Sequence, residues 1–112
     1  MKKIEAIIRP SKVGAACAVL EKVGHPGVMI TEIEGHGKQM GLRQQVRGKT
    51  YKVDLLTKTR LEVVVKDDEV DKIVKAICDA VFTGNVGDGK IFIYPVENAV
   101  RIRTAEQGDI AV

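Results

Sequence analysis

The stretch Lys58 to Tyr94, KTRLEVVVKDDEVDKIVKAICDAVFTGNVGDGKIFIY, holds one complete strand-helix-strand unit. Its opening, Lys58 to Lys66, alternates with Leu61, Val63 and Val65 on one face and Glu62 and Val64 on the other, the period-two pattern of a strand with one face buried. Asp67 and Asp68 then offer an N-cap, acids crowd the first turn, and Val70, Ile73, Val74, Ile77 and Val81 recur at the spacing of a helical apolar stripe. Three glycines, Gly84, Gly87 and Gly89, break the stripe before Lys90 to Tyr94 (KIFIY) resumes strand character.

Residues nearer the start repeat this order. Lys2 to Arg9 (KKIEAIIR) alternates with Ile4, Ala6 and Ile8 on one face, and Pro10 stops it. Ser11 is positioned to cap a helix whose Val13, Ala16, Cys17, Leu20 and Val23 share a face until Gly24, Pro26 and Gly27 end it; Gly14 weakens this helix a little. Val28 to Glu34 alternates again. Two strand-helix-strand units of similar length predict an α+β fold: a ferredoxin-like double βαβ sandwich with four antiparallel strands, both helices on one face, and a long loop between strands 2 and 3. Ile7, Glu62 and Val64 are expected on the uncovered face, and such a half-apolar surface invites self-association. Val100 to Thr104 (VRIRT) reads either as a short edge strand or as a loop.

At 112 residues and 45% hydrophobic content, the chain predicts a single domain, 1–112, of a size where partners help cover apolar surface. No apolar run approaches the roughly 20 residues that span a bilayer, and strand-like alternation follows the first lysines, so a cytoplasmic protein without direct membrane insertion is expected. Cys17 and Cys78 lie inside helical patterns and read as small buried hydrophobes. The net charge of +3 is unevenly distributed. Residues 36–60 carry seven basic side chains (Lys38, Arg43, Arg47, Lys49, Lys52, Lys58, Arg60) against Asp54, hence +6, and the remaining 11 basic and 14 acidic residues leave −3. Gly35, Gly37, Gly41 and Gly48 punctuate this region, so 36–57 reads as a long exposed basic loop suited to an anionic ligand or partner.

Chemistry points to residues 83–90. Glycines let backbone N–H groups converge on a phosphate, and Lys90 adds a point charge. Gly84, Gly89 and Lys90 have the spacing of a P-loop, but Ile91 stands where that motif needs Ser or Thr, and the segment runs from helix to strand, so an NTPase P-loop is rejected. A helix-ending turn at Gly84 explains the same glycines about as well. Arg101 and Arg103, two apart in the C-terminal segment 101–112, could aim two guanidinium forks at one phosphate group. No nucleophile-base order or histidine pair at ligand spacing suggests catalysis, and Asp88 is a single carboxylate. His25 and His36 sit beside turn residues and read as solvated. Tyr51 reads equally as a modification or contact site and as an aromatic lying on its own loop.

The run KKIEAIIRP, the TE-x-x-G-x-G-x-Q of Thr31 to Gln39, the RG-x-x-Y of Arg47 to Tyr51, the T-G-x-x-GDGKIF block of Thr83 to Phe92 and the RIRT of Arg101 to Thr104 resemble the P-II nitrogen-regulatory signal-transduction proteins along essentially the whole chain. The resemblance implies a homotrimer with ATP or ADP in each cleft between subunits. Carried over by position, Gly87, Asp88, Gly89, Lys90, Arg101 and Arg103 would meet the phosphates with Gly37 and Lys38, while Ile7, Gly35, Glu62 and Val64 would line the adenine and ribose. Gln39 would ligate Mg2+ with the ATP phosphates and also meet 2-oxoglutarate together with Met40, Gly41 and Lys58. Tyr51 is the position uridylylated in many bacterial relatives.

Some residues depart from the family pattern. Val46 replaces a usual Tyr, His36 a frequent Phe, Met29 a usual Thr, Lys38 the commoner Arg, and Ala105 a Gly. Lys38 keeps the charge and loses the bidentate fork. The implied function is a non-enzymatic sensor of ATP, ADP and 2-oxoglutarate whose long loop controls a nitrogen-metabolism target: an ammonium transporter, glutamine synthetase regulation or nitrogenase. Two alternatives are a nucleic-acid-binding protein with a basic arm, which one loop aromatic serves poorly, and a slow ATPase.

Overall fold

A computed structural model describes residues 1–36, 42–46, 49–53 and 55–112, with only the backbone course described for positions within 35–56. The elements are β1 (Lys2–Ile8), α1 (Val13–Lys22), β2 (Met29–His36), β3 (Leu42–Val46), β4 (Lys49–Val53), β5 (Leu55–Val65), α2 (Val70–Val81) and β6 (Lys90–Pro95). Four strands form an antiparallel sheet in the order β2-β5-β1-β6, and β3 pairs with β4. This is the ferredoxin-like double βαβ arrangement that the repeated pattern predicts.

The core lies between the sheet and two helices. Ile4, Ala6, Ile8, Leu61, Val63 and Val65 from the central strands meet Ala16 and Leu20 of α1 and Val70, Ile73, Ile77 and Val81 of α2. Burying each of the larger side chains contributes roughly 1.5–3 kcal/mol. The register Ile4↔Val63 and Ala6↔Leu61 keeps the apolar sets of neighbouring strands on one face, so a slip of either strand by one residue would turn its set outward.

Both helices begin differently from expectation. Pro10–Lys12 and Asp67–Glu69 each wind as one 3-10 turn before α1 and α2, and no side chain caps either start, so neither Ser11 nor an aspartate acts as N-cap. Pro10 fits the first helical position because its missing N–H would have had no intrahelical partner. The acids of Asp67–Glu69 still lie at the positive end of the helix dipole. Gly24, at φ 93°, ends α1, and the His25 amide returns to the Leu20 carbonyl at 2.8 Å.

Other sequence expectations change too. Cys78 is exposed and Cys17 half-buried, because both sit at the margin of their helical stripes. His25 is held: its Nε2 lies 2.8 Å from Glu69 Oε2, joining the end of α1 to the start of α2. The span 36–57 is not loop throughout, since β2 continues to His36, β5 starts at Leu55, and Leu42–Val46 pairs with Lys49–Val53. The extra residues pair by extending the β2-β5 ladder, with Gly35↔Leu56 and His36↔Leu55.

Candidate functional site

β1 and β6 carry the glycine segment 83–90 to one end of the sheet. Ile7 pairs with Lys90, and beyond that pair the two backbones press together: a Cβ built on Gly89 (φ 99°) would stand 1.7 Å from the Ile7 carbonyl oxygen. Only glycine permits that approach. Gly84 and Gly87 also have positive φ, 84° and 101°, so the segment makes its turns where L side chains are disfavoured.

Asp88 closes the segment on itself. Its Oδ2 accepts from the Thr83 and Gly84 amides, both at 2.9 Å, and its Oδ1 accepts from the Thr83 hydroxyl and from Arg9 Nε at 3.3 Å. The Thr83 hydroxyl and amide, then the Gly84 amide and Arg9, hold the Asp88 carboxyl far below the usual carboxylate range. Arg9 also donates from its other arm to the Val86 carbonyl at 2.8 Å. From β5, Lys58 Nζ donates to the Gly87 carbonyl at 2.5 Å. Burial pushes the Lys58 ammonium below the usual lysine range, Arg9 adds to this, and Asp88 opposes it.

The structure brings Ile7, Lys58, Gly87, Asp88, Gly89 and Lys90 together at this end of the sheet. Glu62 and Val64 stand on the open face of β5, opposite Glu5 and Lys3. Glu62 belongs to a charged network there: Lys3 reaches it at 3.2 Å and lies over the Tyr94 ring, and Arg60 approaches it at 3.0 Å and Glu5 at 3.9 Å. The Arg60 contact is too bent for a hydrogen bond, leaving its buried Nε without a partner among the described residues. The Glu5 carboxylate, followed by burial, raises the Tyr94 phenol above its usual range. The uncovered face is therefore charged at its centre as well as apolar.

Arg101 and Arg103 do not share an extended stretch. Val100 makes one bridge to Gln107, and 102–104 turn so that the Ala105 amide meets the Arg101 carbonyl at 2.8 Å, with Ala105 at φ 59°. Arg101 is committed within the segment, to Glu106 at 2.7 Å and the Ile110 carbonyl at 2.8 Å. A two-residue spacing puts side chains on one side only in extended backbone, and here the chain turns. Gly37, Lys38, Gln39, Met40 and Gly41 lie outside the described residues, while Gly35 and Tyr51 are described as backbone in β2 and β4.

Sequence reasoning missed Arg9 and did not foresee that Asp88 is anchored to Thr83, Gly84 and Arg9. Nothing local marks Arg9, since its partners Val86 and Asp88 are 77 and 79 positions away.

The fold and this site define a class: a ferredoxin-like α+β protein with a glycine-built, cation-backed loop at one end of its sheet. The family model described as "Nitrogen regulatory protein P-II" matches residues 1–106, and the chain belongs to that family. Among curated relatives, the Nitrogen regulatory protein P-II 2 of Methanothermobacter thermautotrophicus is 48% identical over 112 residues, covering 100% of this chain and 97% of the relative. A Nitrogen regulatory protein P-II from Cereibacter sphaeroides is 50% identical over 112 residues, covering 100% of both. Among solved structures, a crystal structure of Arabidopsis thaliana PII bound to citrate superposes with a TM-score of 0.81 at 34% identity, covering 99% of this chain and 91% of that one.

Proposed function

We propose that this chain is a non-enzymatic cytoplasmic sensor that works as a homotrimer, taking ATP or ADP at the 83–90 loop and 2-oxoglutarate beside Lys58, and passing the result to a nitrogen-metabolism target through residues 36–57. Membership of the P-II family supports the regulatory part of this reading. The observation that carries the ligand part is the loop itself: side-chain-free backbone at Gly87 and Gly89, with Lys58, Lys90 and Arg9 at the same sheet end. Gly89 lets the loop lie directly against the backbone of β1, which sets the loop beside these cations. In this reading Gly87, Asp88, Gly89 and Lys90 meet phosphates, with Gly37, Lys38, Arg101 and Arg103 joining from elsewhere, and Ile7, Gly35, Glu62 and Val64 flank the nucleoside.

Magnesium would be held by the phosphates with Gln39, and would offer 2-oxoglutarate a Lewis-acidic anchor. Met40 and Gly41 would contact the keto-acid, and Lys58 would pair with its carboxylate. That the Arabidopsis thaliana PII is bound to citrate supports a carboxylate ligand here. A partly desolvated ammonium resting on a carbonyl oxygen is a ready partner for such a ligand, because a carboxylate makes the stronger, charge-assisted bond. The targets proposed are an ammonium transporter, glutamine synthetase regulators or the nitrogenase system. No nucleic acid is proposed as partner, and among the described residues no helix is long and apolar enough to cross a membrane.

Calorimetry tests this reading. ATP is titrated first, then 2-oxoglutarate at saturating ATP with and without magnesium, for the wild type and Lys58→Ala. Keto-acid heat is expected only with magnesium and ATP, and is expected to disappear in Lys58→Ala. Equal keto-acid binding by the two proteins would remove Lys58 from this role.

A further inference from the structure

A carboxylate inside a loop that takes phosphate needs an explanation, because an acid facing a polyphosphate repels it. We propose that Asp88 and Arg9 are positioning residues, an internal ion-pair latch that fixes the 83–90 backbone in its anion-receiving shape without either side chain touching the nucleotide. The proposal rests on the phosphate reading of this loop and adds the device that shapes it.

The geometry shows how the latch works. Asp88 turns away from the cradle and stitches its own end of the segment to the other end, at Thr83 and Gly84. Arg9 bridges that carboxylate and the Val86 carbonyl, tying the middle of the segment to the end of β1. Lys58 holds the next carbonyl, Gly87. All peptide bonds here are trans, and in a trans peptide the C=O and the following N–H point in opposite directions. Turning the Val86 and Gly87 carbonyls onto Arg9 and Lys58 therefore aims the Gly87 and Asp88 N–H groups the other way. Among the described residues the Gly87 amide has no hydrogen-bond partner, while the Asp88 amide closes the turn at Val86–Gly87. An unpaired amide at a glycine turn backed by cations is a donor open to an anion.

The latch also lowers the ordering cost of binding. Glycine-rich backbone loses more conformational freedom than other backbone when fixed, and a loop fixed before the ligand arrives does not subtract that loss from affinity. The Asp88 charge is balanced by Arg9 at 3.3 Å, which mutes its repulsion of phosphate.

The test is a double-mutant cycle on ATP affinity by calorimetry, well below the melting temperature, with Asp88→Asn, Arg9→Gln and the double variant; Thr83→Val is the milder check should Asp88→Asn fold poorly. Each single variant is expected to weaken ATP about tenfold, the scale of one charge-assisted hydrogen bond, with the double variant little worse than either. AMP, with two fewer phosphates for the cradle, is expected to weaken less. Hydrogen exchange at the Thr83 and Gly84 amides is expected to speed up in Asp88→Asn without nucleotide. Unchanged or tighter ATP binding by Asp88→Asn, the result of simply deleting a repelling charge, overturns the latch, as do fully additive losses or equal losses for ATP and AMP. A wild type that ignores ATP overturns the phosphate reading first and the proposal with it; fast exchange in Asp88→Asn would then mark the ion pair as a structural stitch only.

Discussion

Individual residues set the precision of this site. At Gly89 the neighbour that a side chain would strike is the backbone oxygen of Ile7, which has no rotamer to change, so Gly89→Ala must drive the loop off β1. We expect it to cost at least ~2 kcal/mol in urea unfolding and to abolish ATP binding; a variant as stable as the wild type would mean the loop can shift freely. Acid sensitivity belongs to this scale as well. Asp88 is held low chiefly by Thr83, and Glu106 by the Thr104 hydroxyl and then Arg101. Because both folded-state values are depressed, their contribution is present above the ordinary carboxylate value of about 4 and is lost as pH falls below it toward the folded values. Melting temperature should therefore fall between pH 5 and the lowest pH tolerated, with a shallower slope in Asp88→Asn, where one of these carboxylates is gone. Identical slopes would show that Asp88 does not contribute to the acid limb.

At the scale of elements, periodicity did most of the predicting. The alternation of KKIEAIIR and KTRLEVVVK and the stripe Val70-Ile73-Ile77-Val81 identify which faces are buried, because one-sided burial imposes those periods directly on the sequence. Chain-distant chemistry left no such trace. Arg9 finds Asp88 only after the sheet has formed, Arg101 turns to Glu106 where alternation suggested an extended pair, and the ladder between Leu42–Val46 and Lys49–Val53 is too polar to stand out from a loop. Residue chemistry and spacing pointed to the 83–90 glycines, Lys90, Arg101 and Arg103, and family likeness supplied the other candidate ligand residues. Two substitutions in the helices should act in opposite directions. Nothing lies within 4 Å of a Cβ at Gly14 in α1, so Gly14→Ala should gain ~0.5 kcal/mol, while Ile77→Ala in the core of α2 should lose about 2–5 kcal/mol. Urea denaturation of both variants checks the pair, and a loss at Gly14 would contradict the open space at that position.

For the molecule as a whole, the uncovered sheet face decides what comes next. It combines the Lys3, Glu5, Arg60, Glu62 and Tyr94 network with Ile7, Val64 and the exposed ring of Phe92, which lies opposite Glu5 on β6. A mixed apolar and ion-paired face suits an interface between copies of this chain, in line with the proposed homotrimer. Light scattering should give three chain masses for the wild type and one for Phe92→Asp with its helical circular dichroism retained; an unchanged mass in that variant would place the interface elsewhere. One earlier contact also bears on engineering. The Gly89-Ile7 approach is main chain against main chain, so no library of side-chain replacements can retune it, and it acts as a fixed spacer between the sheet and the loop. Redesign of the proposed anion site would have to vary Lys90 and the cations behind the loop, and leave that spacer untouched.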